Sequence, residues 1–323
     1  MEKRKATLSE VAELAGVSLA SVSKVLNGGR NNIGVSAKTR KCILDAAEQL
    51  NYRQNMAASI LAGGSSKLIG VFVDSLASYR TLRVLQELER LSSEHGYRII
   101  TSLSHDNISN MRDDYYMFQQ YGVNSFICCS HDYPNQNNEV VELFSGEKNV
   151  VFMEKPCVSG VPYVRTSNLK ALTEMVANAH RQGYRRIGIL HSHRSFLSGR
   201  AMHEEFLQAM TANGLEYDEK LIFEFPLGTF DPKKRIRLAI ETMVLPCRPD
   251  FLFIDDAIHA LTLRHQLLPH KYDIKIYGGN GDQQFDLMDI SSFDPCYDVI
   301  AEKLLEMLHK GSKAEMPVVE AVY

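Results

Sequence analysis

The chain lacks any apolar run approaching membrane-spanning length, about 18 residues or more, so no bilayer segment is expected. Its Met-Glu-Lys-Arg start holds no apolar core of a secretory signal, which places the expected protein in the cytoplasm. The six cysteines form neither a metal spacing nor a disulfide framework: Cys128 and Cys129 are adjacent, and Cys42, Cys157, Cys247 and Cys296 are dispersed. Buried, reduced thiols are the expectation. No phosphate-binding glycine loop, G-x-S-x-G or G-x-G-x-x-G is present, so neither an enzyme nor a cofactor is expected. His191 and His193 form an H-x-H without a third ligand in view, and no metal is assigned. No heptad repeat follows Val318 to Val322, so assembly of dimers into tetramers is not expected.

What is present is unevenly distributed. The net charge of −3 hides a basic head: residues 1–67 carry ten Lys and Arg against five acids, and the remainder 26 against 34. A basic module on an acidic body suits counterion release from a nucleic acid by one part alone.

Within that head, residues 7–27 spell two short helices joined by a glycine turn. Thr7 and Glu10 make a capping box, so helix one starts at Leu8. Val11, Ala12 and Ala15 follow at helical spacing, Gly16 permits the turn, and Ser18 caps a second helix through about Leu26. Val22, Val25 and Leu26 form its inner stripe, leaving Leu19, Ala20, Ser23, Lys24 and Asn27 outward as a base-reading face. Ser36 caps a third helix with Ile43, Leu44, Ala47 and Leu50 inward. A helix of under two turns, Asn55 to Leu61, precedes the loose linker Gly63-Gly-Ser-Ser66.

TLSEVAELAGVS, SVSKVLN, VSAKTR, ILDAAEQLNY and NMAASILAG occur in the order, and nearly the spacing, of the lactose-repressor (LacI/GalR) family of bacterial transcription regulators, which the chain resembles. The resemblance implies that Leu19, Ala20 and Lys24 discriminate bases, with Ser18, Ser23, Asn27, Ser36 and Thr39 near phosphates and Thr7 and Leu8 at the DNA-facing start of helix one. It further implies a hinge helix starting at Asn55, with Ala57 and Ala58 at the DNA and Leu61 wedged into the minor groove. Departures are local. Residues 28–34 form a longer loop than usual, Gln54 stands where the family has proline, and Lys24 where many relatives have arginine, whose planar fork grips guanine more sharply.

From Leu68 onward apolar strand-like runs alternate with amphipathic helices, which predicts parallel sheets with helices on both faces. Strands are expected at 68–73, 98–103, 125–130, 149–154, 186–191, 221–225, 251–255 and 274–278, and helices at 82–95, 169–182 and 231–244. The pattern restarts near Tyr184, so two lobes are expected. The expected fold is an all-α helix-turn-helix headpiece (1–54), a hinge helix and linker (55–67), and an α/β two-lobed domain resembling the family's periplasmic-binding-protein-like effector domain (68–323). Three crossings near Val164, Phe293 and Val319 would divide it into lobe one (68–163 and 294–318) and lobe two (164–293 and 319–323).

Ligands in such sheets sit at the carboxyl ends of strands. That selects Asp74, Ser75, Ser130, Glu154, His191, Arg200, Asp255, Asp256 and Asn280 as cleft candidates, with Lys155 beside Glu154. The family's usual arginine aligns with Met202 and its usual aspartate with Asn280, so the paired sugar contacts are not in their usual places. The sequence is thus read as a homodimeric, sequence-specific regulator, a repressor on a pseudopalindromic double-stranded operator, answering to a small-molecule effector such as a sugar or related metabolite. The alternative is a ligand-independent DNA-binding dimer whose body serves as a protein-interaction scaffold.

Overall fold

The computed structural model describes residues 6–27, 34–53, 60, 66–73, 79–103, 107–133, 136–310 and 316–323. It divides into two compact units, residues 1–68 with 116–124, and residues 69–115 with 125–323. Asn55, Ala57, Ala58, Leu61, Asp74, Ser75 and the loop 28–33 lie outside the described residues.

The headpiece holds α1 (Leu8–Ala15), α2 (Leu19–Asn27) and α3 (Ala37–Gln49). At the start of α1 the Thr7 N–H donates to Glu10 Oε2 at 2.7 Å and the Glu10 N–H donates to Thr7 Oγ1 at 3.3 Å, which closes the capping box. Gly16 ends the helix at φ 63°, a left-handed conformation that glycine adopts without a Cβ penalty. Ser18 and Ser36 cap the next two helices, accepting the N–H groups of Ser21 and Thr39. Val11, Ala12, Val22, Val25, Ile43 and Ala46 close the core. Leu44 is a correction: it is 46% exposed, and Ala46 is buried instead. The inward stripe of α3 runs Ile43, Ala46, Ala47, Leu50, and Leu44 is turned about 100° from Ile43 around the axis.

The body contains β1 (Leu68–Phe72), α4 (Tyr79–Glu94), β2 (Arg98–Ser102), α5 (Ile108–Gln120), β3 (Phe126–Cys128), α6 (Asn137–Phe144), β4 (Val150–Met153) and β5 (Tyr163–Ser167). There follow α7 (Leu169–Arg181), β6 (Ile187–His191), α8 (Leu197–Ala212), β7 (Ile222–Glu224), α9 (Pro232–Ala239), β8 (Phe251–Ile254), α10 (Ala257–Leu267) and β9 (Lys275–Gly278). Last come α11 (Gln283–Asp286), α12 (Tyr297–Lys310) and β10 (Val318–Glu320). The helix expected over 231–244 continues from α9 through a π turn at Ile240–Val244.

The strands form a six-stranded sheet, β10-β5-β4-β3-β1-β2, and a four-stranded sheet, β7-β6-β8-β9. The second sheet shows why its strands read as unbroken apolar runs. Ile187, Ile189, Phe251, Phe253 and Tyr277 pack against α7 and α8, while Leu190, Leu252, Ile254 and Ile276 pack against α9 and α10 on the other face. In the first sheet Ile69, Val71, Ile127 and Val151 pack with Val84 and Leu88 of α4 and Ile300 and Leu304 of α12.

Two expected lobe boundaries fall within strands. β5 pairs in parallel with β4 and β10, so the first sheet holds the chain through Ser167 rather than releasing it at Val164, and β10 extends that sheet to Glu320 rather than 318. Three crossings then lie side by side. The Ala321 N–H donates to the Ser167 carbonyl at 2.9 Å, and Asp294 and Val322 exchange two N–H···O bonds at 2.8 Å.

Among the described residues all six cysteines are free thiols, but Cys42 and Cys157 are exposed, against the expectation of burial. Cys42 lies on the solvent side of α3, and Cys157 follows the turn after β4, its thiol donating to the Asn137 carbonyl at 3.6 Å. Among the described residues no helix is long and apolar enough to cross a membrane.

Candidate nucleic-acid interface and ligand cleft

On α2 the core takes Val22 and Val25, which turns Leu19, Ala20 and Lys24 to solvent and leaves Ser23 half-buried. Leu19 is 49% exposed, an apolar contact group with no place in the core. The Asn27 side chain lies outside the described residues. Ser18 and Ser36 stand exposed at two helix N-termini, where unpaired N–H groups and the helix dipole favour a phosphate. Their hydroxyls lie 2.9 Å from those of Ser21 and Thr39. Thr7 is exposed at the start of α1, whereas Leu8 packs against the headpiece core.

In the body, a cleft of about 380 Å³ opens at the carboxyl ends of strands from both sheets. Its walls include Glu154 after β4, His191 at the end of β6, Asp255 and Asp256 after β8, Asn280 after β9, and Arg200 on α8. Ser130 does not line it and faces the Tyr133 hydroxyl at 3.2 Å. The strand end at Ser130 turns into its own loop, with the Cys128 thiol donating to the Ser130 carbonyl at 3.2 Å. Met202, at the position of the family's arginine, contributes apolar surface.

Sequence reasoning missed Arg80, the centre of the polar network. Its Nη2 donates to Glu154 Oε1 at 2.6 Å and to Thr166, and the Thr166 N–H donates to the other Glu154 oxygen at 3.2 Å. Burial opposes the Arg80 charge, but Glu154, Tyr297 and Asp255 outweigh it and hold the guanidinium above its ordinary value. Glu154 sits at φ 73°, a left-handed backbone that a β-carbon makes costly and that this network retains. No local pattern marks Arg80, because a lone arginine in a first helical turn is ordinary surface chemistry.

Several candidates are engaged within the protein. Asp256 caps α10, accepting the Ile258 N–H at 2.8 Å. Asn280 Oδ1 accepts the Asp282 N–H at 3.1 Å, and its carbonyl accepts the Tyr297 hydroxyl at 2.5 Å. Asp255 lies under the cleft, where desolvation pushes its carboxyl up to about 6 against the pull of Arg80. Glu205, also missed, is raised by burial while accepting the Ser167 hydroxyl at 2.8 Å and the Asn168 N–H at 3.0 Å.

At the cleft rim Asp132, after β3, accepts the Leu197 N–H at 2.5 Å and so caps α8 from the other sheet. Burial raises its carboxyl to about 6, opposed by that N–H and by Arg200. Behind the cleft wall His191 meets His203 and Glu224 rather than His193, and burial lowers the His191 imidazole to about 4.

A capped helix-turn-helix with an outward, acid-free reading face, carried with a two-sheet α/β body around a polar cleft, defines a DNA-binding transcription regulator. Over residues 7–55 the chain matches the family described as "Bacterial regulatory proteins, lacI family". It is 21% identical over 323 residues to the HTH-type transcriptional repressor PurR of Mannheimia succiniciproducens, covering 96% of this chain and 94% of that one. It is 37% identical over 101 residues to the fructose operon regulatory protein of Vibrio cholerae, covering 31% of each. Its fold is that of the Lac repressor dimer bound to operator and the anti-inducer ONPF, with TM-score 0.78 at 19% identity over 99% of this chain and 97% of that one. A transcriptional regulator CelR–cellobiose complex matches with TM-score 0.64 at 19% identity, covering 98% of each chain.

Proposed function

We propose that this regulator is an effector-controlled, non-catalytic cytoplasmic repressor that binds a pseudopalindromic operator as a homodimer. The observation that carries the reading is the outward face of α2, with Leu19, Ala20 and Lys24 exposed beside two capped helix N-termini. One such helix reads too few base pairs for genomic specificity, and two-fold pairing doubles the readout. Ser18, Ser23, Asn27, Ser36 and Thr39 would hold phosphates, and Asn55, Ala57, Ala58 and Leu61 would form the minor-groove hinge. The repressor–operator assembly of the Lac repressor supports this arrangement.

The cleft supports a small polar effector. Arg80, Lys155, Arg165 and Arg200 face Glu154, Glu204, Glu205, Asp255 and Asp256, and the described lining offers no Phe, Tyr or Trp ring on which a base or sugar face would stack. Cellobiose in a protein of this fold supports the location, not the identity, of the ligand. The second reading, a ligand-independent scaffold, is favoured by the pairing of Arg80, Glu154 and Thr166 with one another.

Selection of bound duplexes from a random pool tests the DNA reading: a two-fold symmetric site is expected, with affinity falling steeply as salt rises. Recovery of no site, or salt-insensitive binding, defeats it. Thermal shift against sugars, sugar phosphates and small charged metabolites separates the two bodies, since a cleft ligand must raise the melting temperature.

A further inference from the structure

We propose that His191, His203 and Glu224 form a site for a divalent transition-metal ion of the zinc class, and that Arg194 competes with the ion for Glu224. The backbone fixes two of the three groups: His191 and Glu224 are register partners on the paired strands β6 and β7. His203 reaches them from α8, and the three ligand atoms lie within 4.8 Å of one another. His191 Nε2 and His203 Nδ1 stand 3.3 Å apart. Two nitrogens bound to one tetrahedral zinc at about 2.0 to 2.1 Å are separated by about 3.3 to 3.4 Å.

The ring of His191 is already set for a ligand. Its Nδ1 lies 2.7 Å from the Ser192 carbonyl, which can only accept, so the proton is on Nδ1 and Nε2 presents its lone pair toward His203. His193, the other member of the H-x-H, accepts the Ser195 N–H at Nδ1 at 3.1 Å, which puts its proton on Nε2, 4.0 Å from Glu224, where it can donate but not ligate. Three protein ligands leave a fourth position for water or for a group of a bound molecule.

Arg194 already holds one of the three groups and touches the far side of a second. Its Nε lies 2.5 Å from Glu224 Oε1, and its Nη1 lies 3.3 Å from His203 Nε2. A guanidinium can only donate, so while it is present His203 accepts at Nε2 and keeps its proton on Nδ1. An ion bound at Nδ1 moves that proton to Nε2, which then repels the arginine donor. No proton is released overall, and the two cations exclude each other. The Arg194 side chain is 51% exposed and has solvent to swing into. Arg194 stands on the segment leading into α8, whose first turn lines the cleft, so the exchange would be felt there.

The test is calorimetric titration of the full-length, chelator-stripped protein with ZnCl2, followed by CoCl2 with visible absorption recorded. One ion per chain is expected, with the intense ligand-field bands of four-coordinate cobalt. Arg194→Ala should bind zinc roughly tenfold tighter, His203→Gln and His203→Ala more than tenfold weaker, and His193→Ala unchanged. Melting without metal confirms that each variant is folded, and two replacements at His203 guard against a single misfolded one. Absence of zinc binding in both the parent and Arg194→Ala, or binding that survives both His203 replacements, overturns the site. Affinity unchanged in Arg194→Ala overturns the exchange between arginine and ion.

Discussion

The Asp132 carboxylate accepts the Leu197 N–H at 2.5 Å, so a residue of the six-stranded half caps the helix that opens the other half's wall. Asp132 and Asp255 both titrate near 6 in the fold, against 3.8 for a free aspartate. The folded chain therefore binds protons that the unfolded chain releases. The resulting cost is absent below about pH 4, grows between there and about pH 6, and is complete above it, to a ceiling of about 3 kcal/mol per group. Asp132→Asn keeps a capping oxygen without the charge. It should be more stable than the parent at pH 7.5 and equal to it near pH 4, whereas Asp132→Ala should lose about 1 kcal/mol of capping. Urea melts across that range check both signs, and an Asp132→Asn curve parallel to the parent's would contradict them.

Arg80→Met should leave Glu154 facing Thr166 alone, in a backbone conformation that the network retains. The expected loss is about 3 kcal/mol, the low end for breaking a buried pair, since a quarter of each side chain is exposed. Any cleft ligand should lose binding with it. Adding Glu154→Gln in the same chain should recover part of the stability, and denaturant midpoints of the single and double variants measure the recovery.

A methyl group on Gly199 would lie 2.4 Å from the carbonyl oxygens of both Ser192 and His193. Neither backbone atom can step aside as a flexible side chain would. Gly199→Ala should destabilise by about 1 to 3 kcal/mol and displace the segment between β6 and α8. Thermal melts and hydrogen exchange over residues 192–200 would show it; a neutral variant would mean that this segment yields freely.

Lys24→Ala should relax preference at one or two symmetric operator positions, by about 1 to 3 kcal/mol each. Loss of equal size on every sequence would instead make Lys24 a phosphate contact. Binding measured on single-base operator variants decides between them.

The headpiece was legible because its signals are local. Thr7 with Glu10, Gly16, Ser18 and Ser36 each act within four residues, and each holds the expected place in the structure. Strands such as Ile187–His191 were legible because burial on both faces leaves an unbroken apolar run. The strands at Tyr163–Ser167 and Val318–Glu320 were not, since Arg165, Thr166 and Glu320 interrupt them and pairing at the sheet edge decides the outcome. The His191–His203–Glu224 group was equally hidden. Its members come from two strands and a helix, and the one spacing visible in the sequence, His191 with His193, joins the wrong pair. Ser130 failed for a related reason: a strand-end position does not decide which way the following loop turns.

The bonds joining Ser167 with Ala321 and Asp294 with Val322 make the three crossings one ply instead of three separate tethers. Translating one sheet along the other must break those main-chain bonds together, whereas bending about the ply changes only torsions at its ends. If a molecule in the cleft bends the body there, the displacement would grow with distance from a pivot near residues 294 and 322.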